Sequence, residues 1–188
     1  MNDRLPPLPY ERLDDAQRAA ADELIAGPRK AVKGPFIPLL RSPVLLQRIG
    51  KLGEYLRFDS VLPARVNEFA TLIVARAWTQ QFEWAVHAAA AAKAGTSAAS
   101  IAALREGRRP DDMDEDEALT HDFCTELLAH HGVSDTSYER MRARFGERGV
   151  VELTALVGYF VMVSMVLNVA HTPAEPGGAV EPLPPLPR

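Results

Sequence analysis

The sequence has a single cysteine, Cys124, which excludes an intrachain disulfide and any Cys-x-x-Cys redox or zinc motif. It also lacks an excess of positive charge, because 21 lysines and arginines stand against 25 aspartates and glutamates. Proteins that bind nucleic acid present a basic face to the phosphates, so nucleic acid is not expected as a partner. Alternation of polar and apolar residues, the signal of a half-buried strand, is scarce throughout.

The sequence patterns do not favour a signal peptide or a membrane-spanning segment. The first ten residues lack the basic and then apolar layout of a signal peptide, so a cytoplasmic location is expected. Residues 153–170 form an uncharged run at the lower limit of transmembrane length. Polar residues such as Asn168 interrupt it, and no basic flank lies nearer than Arg148, so no membrane span is expected. An apolar helix of this kind also suits a domain core or a subunit interface.

The residues that are abundant predict one all-α domain spanning residues 1–188. Hydrophobic residues make up 47% of the chain, and alanine, leucine, glutamate and arginine dominate. Ser42 with Pro43, and Thr79, are expected to begin helices, while residues 29–41 are expected to be a surface loop. The predicted helices cover residues 13–26, 43–58, 64–78, 80–94, 97–105, 111–131, 134–145 and 147–171.

Both ends carry the sequence Leu-Pro-Pro-Leu-Pro, at residues 5–9 and 183–187. Such runs favour polyproline II and are typical of SH3-domain ligands. The simpler interpretation, which we favour, is a pair of extended arms at residues 1–10 and 173–188, disordered or draped over a neighbouring subunit.

The segment from Glu68 to His87 places charged groups inside an alanine-rich, apolar helical region, where they are rarely left unpaired. If residues 64–94 form one helix, Glu68, Arg76, Gln80, Glu83 and His87 project from one side. If the helix breaks near Thr79, Gln80, Glu83 and His87 still share a face.

This set of side chains suits proton transfer. His87 exchanges a proton near neutral pH, and Glu83 can orient it or act as a base. Arg76 can hold a substrate carboxylate, while Trp78 and Trp84 can wall a pocket against water. The alternative is that Arg76 and Glu83 form a buried ion pair and nothing more. A metal site drawn from His87 and Glu83 has no third ligand at a fixed distance, so no metal is expected.

Several stretches resemble the carboxymuconolactone decarboxylase family, whose superfamily also contains alkylhydroperoxidase D. They include residues 67–76 followed by Phe-Glu-Trp-Ala-Val-His at 82–87, residues 36–43, residues 52–58, and residues 157–168. The resemblance covers most of residues 30–170.

The resemblance implies an alkylhydroperoxidase D-like bundle of about seven to eight helices that assembles into a homo-oligomer, as a dimer, trimer or hexamer. It implies cofactor-free decarboxylation, or proton transfer, on a small lactone or organic acid in aromatic compound catabolism. His87, Glu83 and Glu68 would be the catalytic residues. The residues that would bind substrate are Arg76, Trp84, Gln80 and Trp78.

The alkylhydroperoxidase branch has a pattern of Glu, Cys, Cys and His that falls on Glu68, Gln80, Glu83 and His87. Both sulfurs are therefore replaced, and Cys124 cannot be both the attacking and the resolving thiol. A thiol peroxidase is the least expected function. A non-catalytic or ligand-binding oligomer of the same family is the main alternative to the lyase.

Overall fold

The computed structural model describes residues 2–174 and 180–185, and within them the chain forms eight α-helices and no β-strand. The prediction of an all-α fold is confirmed. A 3₁₀ turn (Tyr10–Arg12) precedes the first helix, and a π-helical turn (Tyr55–Asp59) follows the third. The helices are α1 (Asp15–Ala26), α2 (Phe36–Leu39), α3 (Pro43–Glu54), α4 (Ala64–Ala77), α5 (Gln81–Ala94), α6 (Ala98–Arg105), α7 (Glu115–His130) and α8 (Asp135–Ala170).

Helix α4 is the centre of the fold. It packs against α5, α7 and α8, and ten of its 14 residues are buried. Its sequence explains this position, because a helix that is apolar on nearly every side must be covered by other elements. Phe69 and Leu72 are fully buried there. Any polar side chain on α4 is therefore held in a packed, largely dry surrounding.

The chain reverses between α4 and α5, so the single-helix alternative for residues 64–94 is wrong. Thr79 takes a left-handed backbone conformation with φ of 47°, and Gln80 occupies the N-cap position of α5. The Gln80 side chain accepts hydrogen bonds from the backbone N–H groups of Phe82 and Glu83. The predicted cap at Thr79 is therefore wrong by one residue, because only Gln80 has the extended backbone of an N-cap.

Two further expectations need correction. The predicted loop at residues 29–41 contains the short helix α2, and the helix predicted over residues 43–58 ends at Glu54, where the π-helical turn begins. Ser42 occupies the N-cap position of α3, but its side chain makes no capping hydrogen bond. Pro43 lies at the first helical position as predicted.

Helix α8 is interrupted at Gly146, whose φ of 72° and ψ of 173° are not helical. This interruption is where the sequence predicts one helix to end and the last to begin. A glycine is suited to this position because it adopts positive φ without steric cost. Helix α8 (Asp135–Ala170) is long and apolar enough to cross a membrane, but 56% of its most apolar 18-residue stretch is buried inside the fold.

Residues 180–185 of the C-terminal arm pack against the chain's own helices. Trp84 Nε1 donates to the Glu181 carbonyl, and the Leu183 backbone exchanges hydrogen bonds with the Gln81 side chain. Leu183 is buried. The N-terminal arm is also tied down, since the Arg4 N–H donates to the Ala170 carbonyl. Residues 1, 175–179 and 186–188 of the predicted arms lie outside the described residues.

Candidate active site

The α4–α5 hairpin places Glu68 of α4 against His87 of α5. Glu68 Oε2 lies 2.5 Å from His87 Nδ1, the distance of a short, charge-assisted hydrogen bond. Only 3% of the His87 side chain and 14% of the Glu68 side chain are exposed. A carboxylate on Nδ1 fixes both the orientation of the imidazole and the nitrogen that remains for other partners.

Glu83 lies on the other side of the same imidazole. It precedes His87 by one turn of α5, and its Oε2 is 3.3 Å from His87 Nε2. The Phe160 ring of α8 packs edge-to-face on the imidazole with its centroid 4.9 Å away. The ring is thus bracketed by two carboxylates and held in place by an aromatic contact.

The two hydrogen-bonded partners shift each other's pKa. Burial alone would lower the pKa of His87, but the hydrogen bonds to Glu68 and Glu83 outweigh it, so this pKa is raised. Burial alone would raise the pKa of Glu68, but the hydrogen bond to His87 and the charge of Arg57 lower it. Both shifts favour the imidazolium–carboxylate form of this pair.

A cavity of about 400 Å³ opens beside His87, between the α1–α2 connection, the π-helical turn, α5 and α8. Its size is that of a small-molecule site. Glu83 and His87 line it and Glu68 does not, so the Nε2 side of the imidazole faces the cavity. Aromatic rings form much of the wall: Phe36, Phe58, Phe82, Tyr159 and Phe160. The other charged side chains of the lining are Arg29, Lys33 and Arg57.

Arg29 was not singled out by its sequence, yet it lines this cavity. Its guanidinium stacks on the Phe36 ring with 4.5 Å to the centroid, and Nη2 donates to the Tyr159 hydroxyl at 3.4 Å. Its Nε is buried without a hydrogen-bond partner, and no carboxylate of the described residues forms an ion pair with it. A Cβ on Gly53 would overlap the Tyr159 and Arg29 side chains, so the glycine leaves room for these two side chains to meet.

Arg57 is the second arginine of the lining and belongs to the π-helical turn. Its Nη2 lies 3.7 Å from Glu68 Oε1, on the oxygen that His87 does not use. The turn also carries Phe58 of the aromatic wall. Irregular turns of this kind frequently position functional side chains. No helical spacing in the sequence relates Arg57 to His87, which is why pattern reasoning missed it.

The structure does not bring Arg76 to this cavity, contrary to the geometric expectation. Arg76 lies in the last turn of α4, and its Nη1 donates to the Pro184 carbonyl at 2.6 Å. Helix α4 has already ended when α5 begins, so the angular spacing that grouped Arg76 with His87 does not apply.

The three other predicted substrate-binding residues are also outside the cavity. Trp84 is fully buried in the core, and its N–H is used by the C-terminal arm. Gln80 caps α5 and donates from Nε2 to Asn168 at 3.0 Å. Trp78 is partly buried against the core at the end of α4. These residues belong to the α4–α5 hairpin that presents His87, and none of them lines the cavity.

Cys124 is fully buried on α7, and burial raises the pKa of its thiol. A thiol that is buried and protonated is a poor nucleophile. Within residues 2–174 and 180–185, no group of three or more His, Cys, Asp and Glu side chains is arranged to hold a metal ion.

Comparison with known proteins gives a family and a fold. Residues 43–118 match the model of the carboxymuconolactone decarboxylase family. No curated protein matches the sequence. The fold is similar to the crystal structure of an uncharacterized peroxidase-related protein from Ralstonia eutropha JMP134, described as an alkylhydroperoxidase AhpD core. That match has a TM-score of 0.74 and 17% identity, and it covers 92% of each chain.

The matched residues 43–118 include Glu68, Glu83 and His87, so the bracketed imidazole lies inside the segment that carries the family signature. The structural match extends the same helical arrangement over nearly the whole chain. Over residues 43–118 the chain is therefore similar to the carboxymuconolactone decarboxylase family, its fold is similar to that of the alkylhydroperoxidase AhpD core, and its sequence lacks a Cys-x-x-Cys pair.

Proposed function

We propose that this protein is a cofactor-free lyase that moves a proton at His87 on a small, ring-bearing organic acid. One observation carries the proposal: an imidazole held between two carboxylates turns its Nε2 side toward a cavity that is rich in cations and aromatic rings. Proton transfer by a positioned histidine contributes about 10² to 10⁴ in rate and needs no metal or thiol.

The charge of the cavity supports an anionic substrate. Arg29, Lys33 and Arg57 are the cationic side chains of the lining and Glu83 is its carboxylate, while Arg57 and His87 are also paired with Glu68, which does not line the cavity. Arg29 has no carboxylate partner among the described residues and presents its guanidinium beside Tyr159. We assign it the role that Arg76 was expected to have, because a guanidinium binds a carboxylate through two parallel hydrogen bonds.

The aromatic wall supports a flat or ring-shaped substrate body. Phe36 and Phe160 are buried, and Phe160 also holds the imidazole edge-on. Rings and unsaturated lactones stack on such faces, while a long flexible chain gains less from them. Together with the family relationship, this favours a lactone that bears a carboxylate.

Each residue of the site has one role in the proposed decarboxylation. The carbon–carbon bond to the substrate carboxylate breaks, carbon dioxide leaves, and the electron pair moves into the ring as the double bond shifts. The carbon at the far end of the shifted system takes a proton from Nε2 of the His87 imidazolium. Glu68 orients the ring from Nδ1, and Glu83, whose Oε2 lies 3.3 Å from the same Nε2, passes the replacement proton from solvent.

The test is carbon dioxide release from 4-carboxymuconolactone and a panel of related lactone acids. His87→Gln should abolish release, while His130→Ala, a change at an exposed histidine outside the cavity lining, should leave it unchanged. No release from any acid by the wild type, or release that His87→Gln leaves intact, would contradict the proposal. Binding of a lactone acid without release would favour the ligand-binding alternative.

We also propose a homo-oligomer built on α8. Val151, Met165 and Val169 are 66%, 41% and 66% exposed, and their spacing places them on one face of the helix. The uncharged run at residues 153–170 supplies the rest of this face. An exposed apolar stripe on a long helix is typical of an interface between copies of a chain. A cytoplasmic location stays a prediction.

A further inference from the structure

A second cavity of about 350 Å³ lies away from His87, between α4, α6 and α7. Its walls are mainly apolar and are formed by Ile73, Ala77, Leu104, Leu128 and Ala129. Its polar groups are Arg76, Arg108, His121 and Thr125, and no carboxylate lines it. An apolar cavity with a few convergent polar groups is the usual form of a small-molecule site.

Arg76 is the unusual feature of this cavity. It is 5% exposed, and no carboxylate of the described residues forms an ion pair with it. Its Nε is buried without a hydrogen-bond partner, and its one recorded hydrogen bond runs from Nη1 to a backbone carbonyl. A buried guanidinium is costly unless it is paired, so an anion bound in this cavity would stabilise the Arg76 side chain.

The neighbours of Arg76 add donors and no acceptor with a negative charge. His121 Nδ1 accepts a hydrogen bond from Arg109 Nη1 at 3.0 Å, because an arginine can only donate. The proton of a neutral His121 is therefore on Nε2. Gly107 has no side chain to cover Arg76, and a Cβ there would lie 3.4 Å from Arg76 Nε.

We propose that this cavity binds a monocarboxylate with an apolar body, such as a medium-chain fatty acid. The carboxylate would pair with the Arg76 guanidinium, and the hydrocarbon would lie against Leu104 and Leu128. This site is separate from the one at His87 and requires no turnover there, so it stands or fails independently of the lyase activity.

The experiment is calorimetric titration of the full chain with octanoate, and with octanol as the uncharged analogue. Octanoate should bind saturably, and octanol at least tenfold more weakly, because it cannot pair with Arg76. Arg76→Gln should weaken octanoate binding at least tenfold. Ala129→Trp fills the cavity from a solvent-exposed position and should abolish binding even if Arg76→Gln fails to fold.

Arg29→Gln is the matched control, because it removes an arginine from the other cavity and should leave octanoate binding unchanged. Three results would overturn the proposal. They are the absence of saturable binding, binding that survives Ala129→Trp, and binding that Arg29→Gln abolishes, which would place octanoate beside His87.

Discussion

The chemistry available to His87 follows from which atoms of its ring already have a partner. Nδ1 is held by Glu68 in a buried hydrogen bond, and Nε2 is the nitrogen on the cavity side, with Glu83 at 3.3 Å. A partner on each nitrogen stabilises the doubly protonated ring. His87 is therefore arranged to give up a proton to a substrate, with Glu68 as the orienting group.

A pH profile of the Glu68→Gln variant tests this arrangement. The raised pKa of His87 extends the imidazolium form to higher pH than in a free imidazole, so decarboxylation should be lost as pH rises through that pKa. Glu68→Gln removes a group that raises this pKa, so the alkaline limb of kcat should move to lower pH. Glu106→Gln, at an exposed position, is the control. An unmoved limb would contradict the role given to Glu68.

The role of Arg29 leads to a separate prediction about affinity. Arg29→Gln removes the guanidinium that we assign to the substrate carboxylate. KM for a lactone acid should therefore rise about tenfold, with a smaller change in kcat, because ground-state and transition-state binding are lost together. Arg140→Gln, which changes an exposed arginine paired with Asp122, should leave KM unchanged. A normal KM in Arg29→Gln would show that the carboxylate binds elsewhere.

Residues of one helical hairpin could be predicted to meet, while residues from distant segments could not. Glu68 and His87 come together because α4 and α5 pack side by side, and both residues lie within the segment that matches the family model. Arg29 lies in the connection between α1 and α2 and reaches the cavity only through tertiary packing. The sequence pointed to Arg76 instead, because Arg76 and His87 would project in similar directions from a single helix over residues 64–94. The chain forms two helices there, so this relation does not hold.

At the scale of elements, capping residues and glycines defined most helix boundaries. Ser97, Asp114 and Ser134 cap α6, α7 and α8 with side-chain hydrogen bonds, as their residue types favour. The π-helical turn after α3 has no such signal, because its residues are ordinary helix formers held by contacts with α4 and α8. Local propensity alone therefore could not place Arg57.

Glu152 ties the π-helical turn to α8 and should matter for stability. Its buried carboxylate accepts hydrogen bonds from Tyr55, from Ser60 at 2.7 Å, from the Val61 N–H at 2.8 Å and from Arg148 at 2.7 Å. Although burial opposes it, these bonds lower the pKa of Glu152 to about 2. Glu152→Gln should reduce the free energy of unfolding by about 2 kcal/mol at neutral pH.

The sign of the pH dependence follows from the lowered pKa of Glu152. Its stabilising contribution is present above the unfolded-state value and is lost as pH falls through the folded-state value of about 2. Urea unfolding from pH 7 to pH 2 should therefore show the wild type and Glu152→Gln converging in acid. Glu139→Gln, at an exposed position, should remain close to the wild type throughout. A constant difference across this range would contradict the assignment.

At the scale of the whole molecule, the all-α fold could be predicted because helical composition and the family resemblance agreed. The position of the C-terminal arm could not be predicted, because a proline-rich extended segment has no internal hydrogen bonds and can pack against many different surfaces. Its backbone is held by Trp84, Gln81 and Arg76, which are the residues that the sequence assigned to a pocket or left unassigned. Trp84 and Arg76, which were expected to bind substrate, instead bind the backbone of the C-terminal arm.

The exposed face of α8 gives a prediction about assembly. In sedimentation velocity the wild type should be an oligomer, and Met165→Glu should shift it toward monomer, because a charge would be buried without a partner at the interface. Ile25→Glu, a change at a similarly exposed apolar residue of α1, should leave the oligomer intact. A monomeric wild type, or an oligomer that Met165→Glu does not affect, would exclude α8 as the interface.

The central claim, proton delivery from His87 during decarboxylation, is tested most directly by NMR of the reaction with 4-carboxymuconolactone in deuterated water. The wild type should place one deuterium on the ring carbon at the far end of the shifted double bond for each carbon dioxide released. His87→Gln should give neither product nor deuterium. No turnover by the wild type, product without deuterium, or equal turnover by His87→Gln would contradict the account.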